Sequence, residues 1–129
     1  MRITALVGLI APVFLACSPP STTAHPGRSA SVITREEIVA SQAANAYEAV
    51  SRLRPAFLQS RGQTTITGSD TGYPKVYLDH MPFGDITSLR SIEASGIHEI
   101  RYYDGPAASA RFGLGNVSGA IEVLSRPSQ

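Results

Sequence analysis

Ile97 to Arg126 reads IHEIRYYDGPAASARFGLGNVSGAIEVLSR, and its order of residue types sets the frame for the rest of the chain. From Ile97 to Asp104 the residues alternate: Ile100 and Tyr102 share one face, Glu99 and Arg101 the other. That period of two is the signature of a strand. Gly105-Pro106 then opens a helix, because proline's fixed φ suits the first helical position. Ala107, Ala108 and Ala110 permit close packing, and Gly113 is placed to stop the helix. Gly115 and Gly119 frame a tight turn, after which Ile121 and Val123 alternate in a last strand. The reading is strand, helix, glycine turn, strand, with Gly105, Pro106, Gly113 and Gly119 setting backbone shape.

Upstream, Val32-Ile33 begins a strand and Thr34-Arg35-Glu36-Glu37 is a capping box, in which Thr34 caps a helix and Glu37 reaches back three residues. Asn45-Ala46-Tyr47-Glu48 repeats that logic. Ala46, Tyr47, Val50 and Leu53 then recur at helical spacing, giving an apolar face that ends before Pro55. Ser60 to Tyr73 is polar and punctuated by glycine, with a short strand over Gln63 to Thr67. Lys75 to Asp79 alternates, Val76 and Leu78 facing one side, as a sheet with one buried face requires. Met81-Pro82-Phe83-Gly84 reads as a turn, and Asp85 caps a helical turn in which Ile86 and Leu89 stack. The expected fold is α+β: a small mixed sheet of about four strands, with three or four short helices packed on one face.

The chain has 129 residues, one cysteine and a formal net charge of +1. Arg2, the apolar run Ile3–Leu15 and the small residue Ala16 describe a secretory signal. The run falls short of the roughly 20 residues that a spanning helix needs. Phe14-Leu15-Ala16-Cys17 resembles a bacterial lipobox, and that resemblance implies that Cys17 becomes the lipid-bearing first residue of the mature chain. Ser18 in the following position implies the outer membrane. The alternative is an ordinary signal peptide cleaved elsewhere, such as after Ala24. Loss of residues 1–16 removes Arg2 and leaves ten basic residues against ten acidic ones. A neutral chain lacks the basic surplus that nucleic acid or an anionic surface selects. Ser18 to Ser31 is rich in Pro, Ser and Thr and reads as a tether. The expected organisation is a signal peptide over 1–16, a lipid-anchored tether over 17–31 and a folded domain over 32–126.

The folded part resembles the plug domain of TonB-dependent outer-membrane receptors. Val32 to Ile38 is similar to that family's opening strand and helix start, and Asn45 to Pro55 to its second helix. Ser60-Arg61-Gly62 resembles its Arg-Gly motif, and Val76-Tyr77-Leu78-Asp79 its hydrophobic strand ending in aspartate. Ile97 to Leu124 is similar to its strand, Gly-Pro-Ala helix, glycine turn and final strand. There are departures. Asp79-His80 stands where the family has Asp-Gly, and Ser118-Gly119 where it has paired glycines. Arg61 to Pro74 is short, and Ser18 to Ser31 holds no motif for recruiting the energising TonB protein. In the receptors the domain sits inside a large β-barrel, for which this chain leaves no room.

The resemblance implies a non-catalytic, outer-membrane-associated binding domain on the periplasmic face, accessory to TonB-dependent uptake. Its partner would be a β-barrel or another transport component; a small-molecule ligand is not identifiable. A second reading is the plug of a split receptor working with a separately encoded barrel. A third is a small enzyme or metal protein using Asp79, His80 and His98. No cofactor is expected: the histidines, at 25, 80 and 98, have no metal-ligand spacing. Gly113-Leu114-Gly115 with Gly119 lies between a helix and a strand, unlike phosphate loops, which lead from strand to helix. There is no nucleophile elbow. Asp79, Arg101, Asp104 and Arg111 are the candidate contact residues; Asp104 either caps the helix that opens at Gly105-Pro106 or joins Arg101 and Arg111 in an ion-pair cluster. Glu99, Arg101, Glu122 and Arg126 are expected to be solvated or to face a partner, and the small sheet to leave an edge open for one.

Overall fold

The computed structural model describes residues 29–62 and 71–127. The signal segment, Cys17, most of the tether and the strand expected at Gln63 to Thr67 lie outside the described residues. In chain order the strands are β1 (Val32–Thr34), β2 (Lys75–Leu78), β3 (Met81–Gly84), β4 (Ile97–Tyr103) and β5 (Ala120–Ser125). The helices are α1 (Arg35–Ser41), α2 (Ala46–Leu53) and α3 (Gly105–Phe112), with short 3-10 turns at Pro55–Leu58, Ile86–Ser91 and Ala94–Gly96.

The strands form one mixed sheet in the order β1-β4-β5-β2-β3. β5 runs parallel to β2, and the other neighbours are antiparallel. Local chemistry starts each helix. The Thr34 hydroxyl and Glu37 carboxylate complete the capping box of α1, Asn45 caps α2, and Asp85 caps the turn that follows it. On one face of the sheet Ile33, Ile100, Ile121 and Val123 pack with Ile38 of α1 and Val50 of α2 in the main core. Phe57 stacks on Tyr102 there, ring centroids 4.8 Å apart.

Two expectations change. Met81–Gly84 is a strand, so the sheet has five strands among the described residues. Asp79 and His80 take left-handed backbone angles (φ 47° and 71°), which make them the two-residue turn of a hairpin. Helices also cover both faces. α3 lies on the side opposite α1 and α2, where Phe112 stacks on Tyr77 at 3.9 Å and meets Tyr103 edge-on. Ala108 of α3 and Ala120 of β5 are fully buried where the two meet, because only small side chains let the helix approach so closely. The first four residues of β5 are consequently buried on both sides.

The β1 edge is closed, and the β3 edge, whose residues are exposed, is blunted. Tyr102 N–H donates to Ser31 O at 2.8 Å, so in the β1–β4 register the Val32 and Thr34 amides point outward. Ser29 O accepts from Val32 at 3.1 Å and the Glu37 carboxylate from Thr34 at 3.2 Å. At the other edge Pro82, opposite Tyr77, has no amide to offer. Both devices hinder a further strand from joining.

Candidate functional site

The polar centre of the molecule is Glu122. It sits on the α3 side of β5, and its side chain is 0% exposed. Three elements bring partners to it. The hairpin turn presents His80, whose Nδ1 lies 2.5 Å from Glu122 Oε1. α3 presents Arg111, with Nη2 3.3 Å from the carboxylate. β4 presents Tyr103, whose hydroxyl donates to Oε2 at 2.9 Å. Nδ1 also lies 3.2 Å from Arg111 Nη2, so its role follows its tautomer: protonated it donates to Glu122, unprotonated it accepts from Arg111. Burial pushes the Tyr103 phenol up from its ordinary value, and its bond to Glu122 adds to that. Arg111 also lies over the Tyr103 ring, 5.2 Å from its centroid. The outer members stay in contact with solvent: the side chains are 63% exposed for His80 and 38% for Arg111. Glu122 was expected to be solvated or to face a partner; α3 on that face is why it is buried.

Beside the cluster, Asp79 turns back to the end of β5. Its carboxylate accepts from the Ser125 amide at 2.8 Å and the Ser125 hydroxyl at 2.5 Å, tying the hairpin turn to the end of β5. The Ser125 hydroxyl, then its amide, hold Asp79 below the usual aspartate range. Asp79 and His80 thus leave the turn for different partners.

Of the two readings of Asp104, the helix cap holds and the cluster with Arg101 and Arg111 does not form. Asp104 accepts from Ala107 N at 3.0 Å as the cap of α3, Arg101 pairs with Glu99, and Arg111 turns to Glu122. Each finds a nearer partner in its own stretch of chain or across the buried face. His98 is exposed at the start of β4, where the ladder shifts register, and does not end a strand. No three His, Cys, Asp or Glu residues stand close enough to hold a metal among the described residues.

The glycine turn is shaped by contact. Gly113 ends α3 with φ 90°, and Asn116, 2% exposed, closes the loop: its amide donates to Gly113 O at 2.9 Å and its carbonyl accepts from Tyr77 OH at 3.0 Å. Gly105 backs onto this loop, where a Cβ would stand 2.2 Å from Val117 O. Pro106 holds the first turn of α3. The same face of the sheet also carries Lys75, Glu99 and Arg101.

A family model described as "TonB-dependent Receptor Plug Domain" matches residues 24–120 of the 129. No curated protein matches the sequence. The matched range takes in every element from β1 to α3 and reaches the first residue of β5.

Proposed function

This chain belongs to the TonB-dependent receptor plug-domain family, and from that membership we propose that it is a non-catalytic interaction domain of TonB-dependent uptake, acting against an outer-membrane β-barrel. In this reading residues 1–16 are a signal peptide and an acylated Cys17 anchors the chain at the periplasmic face of the outer membrane. Residues 17–31 are the tether and 32–126 the interacting domain. The observation that carries the reading is the family match over most of the chain, joined to a five-stranded mixed sheet of the α+β class.

The polar surface supports it. The lumen wall of such barrels is polar, and a partner for it needs charged groups held in place. Arg101 and Arg111 are the proposed contacts: each is backed by a carboxylate and each keeps part of its side chain in solvent, 42% and 38%. Gly105, Pro106, Gly113 and Gly119 shape the backbone beneath them, and Asp104 fixes the start of α3.

The test is affinity purification of the tagged chain from solubilised membranes. A single β-barrel protein should co-purify, and Arg101→Glu, which leaves the Glu122 cluster intact, should reduce its yield several-fold while the chain's circular dichroism stays unchanged. A chain that returns alone under mild detergent contradicts the reading. Mobility and detergent partitioning of a Cys17→Ala variant identical to those of the parent would contradict the anchor.

A further inference from the structure

Glu122 has two oxygens and three partners to divide between them. Tyr103 Oη takes Oε2 at 2.9 Å, and His80 Nδ1 stands 2.5 Å from Oε1. Arg111 Nη2 is left between them, 3.3 Å from the carboxylate and 3.2 Å from His80 Nδ1. A guanidinium nitrogen donates and never accepts. Arg111 can therefore rest on His80 only while Nδ1 keeps a free lone pair. In the neutral ring with its proton on Nε2, the two hydrogens of Nη2 reach Nδ1 and Glu122 together and bridge them. A proton on Nδ1 changes both contacts at once. Nδ1 becomes a donor to Glu122 in a charge-assisted bond, and it sets one N–H against another, cation against cation, across the gap to Arg111. We propose that the cluster is a proton-operated switch: protonation of His80 gives the Glu122 carboxylate to the imidazolium and releases Arg111 to the surface.

The surroundings suit such a switch. Histidine is the side chain fitted to change charge between pH 5 and 8. His80 is 63% exposed, so a proton reaches it without opening the fold, and Arg111, 38% exposed, has solvent to turn to. The groups that face His80 come from each neighbouring element. β5 brings the Glu122 carboxylate, α3 brings Arg111, and Asp79 beside it in the turn lies within Coulombic reach. Tyr103 of β4 has its phenol pushed up by burial, so it stays neutral where histidine titrates. β2 carries Lys75 at its opposite end, β3 carries no charged residue, and Arg126 follows the end of β5. Arg111 is one of the two proposed barrel contacts, so acid would free that contact. This consequence rests on the barrel reading; the switch itself does not, and the chain alone tests it.

The experiment is NMR of the ¹⁵N-labelled chain purified from cells, between pH 5 and 8. The imidazole nitrogens report the protonation and tautomer of His80, and relaxation of Arg111 Nε reports how firmly the guanidinium is held. Above the His80 midpoint Nδ1 should be unprotonated and Arg111 ordered. As pH falls through that midpoint, the Arg111 order parameter should drop into the flexible range, below about 0.6. His80→Asn, which suits the left-handed φ of 71° at this position, should leave Arg111 without that transition. A neutral ring with its proton on Nδ1, no titration of His80 between pH 5 and 8, an Arg111 order parameter that stays level through the His80 midpoint, or the same transition in the His80→Asn chain would each overturn the proposal.

Discussion

Replacing Gly119 with alanine subjects the account of the glycine turn to a quantitative test. Gly119 has φ 95°, a backbone region that L side chains rarely adopt. A non-glycine residue held at positive φ costs about 1–2 kcal/mol. Space is also lacking: a Cβ there would meet Tyr103 O at 2.7 Å and Tyr102 Oη at 2.9 Å. The first of these is backbone in the neighbouring strand and can move only by opening the β4–β5 ladder. Overpacking of this sort costs about 1–3 kcal/mol. Together the two terms give about 2–5 kcal/mol, a large share of the 5–15 kcal/mol that holds a domain folded. Gly105→Ala carries the steric term alone, with Val117 O at 2.2 Å, and should cost about 1–3 kcal/mol. Gly96→Ala is the control: nothing lies within 4 Å of its Cβ and its φ is ordinary, so its effect should stay within about 0.5 kcal/mol. Urea denaturation followed by circular dichroism measures all three, with a common slope showing that only stability changed. A Gly119→Ala midpoint equal to that of Gly96→Ala would refute the reasoning.

Glu122→Ala should destabilise by about 1–3 kcal/mol, because it takes the acceptor from the Tyr103 hydroxyl while Arg111, 38% exposed, can turn to water; Glu122→Gln keeps the volume and a carbonyl acceptor and should lose less. Urea midpoints for the pair check both values, and equal midpoints for Glu122→Ala and the parent would remove the cluster from the stability account. Pro82→Val restores an outward amide on β3 and should raise self-association, read by sedimentation velocity at increasing concentration. The Asp79–Ser125 tie should weaken in acid. Asp79 has a folded pKa below its unfolded value, so its contribution is complete above the unfolded value and is lost as pH falls through the folded one, below about pH 4. The thermal-stability difference between the parent and Ser125→Ala should therefore narrow below that pH.

Where short-range chemistry decides the structure, the sequence was legible. Thr34 with Glu37, Asn45, Asp85 and Asp104 each cap the helical segment that their side chains suit. The alternation of β4 and β5 placed Ile100, Tyr102, Ile121 and Val123 on one face, where the main core holds them. β3 was hidden, because Met81–Gly84 has no apolar alternation and carries both proline and glycine. It becomes a strand by pairing with β2 across Asp79-His80, a turn without the Asn-Gly or Asp-Gly that usually announces one. Glu122 was hidden for a tertiary reason. Period two tells which residues share a face but not whether a helix will cover that face, and α3 covers it. His80, a departure from the family's Asp-Gly, was the available signal: a histidine in a tight turn beside a strand carrying a lone glutamate. The role of Asp79 depended on Ser125, 46 positions away, and no local pattern points there.

The most direct measurement of the central claim is photo-crosslinking in living cells, with the crosslinker placed at Arg101, or at Val39 on α1 as a comparison position. Val39 is 59% exposed and lies on the helix layer across the sheet. The account predicts one β-barrel protein crosslinked in the outer-membrane fraction from position 101, with much less from position 39. Equal capture from both positions, or no barrel from position 101, would contradict it.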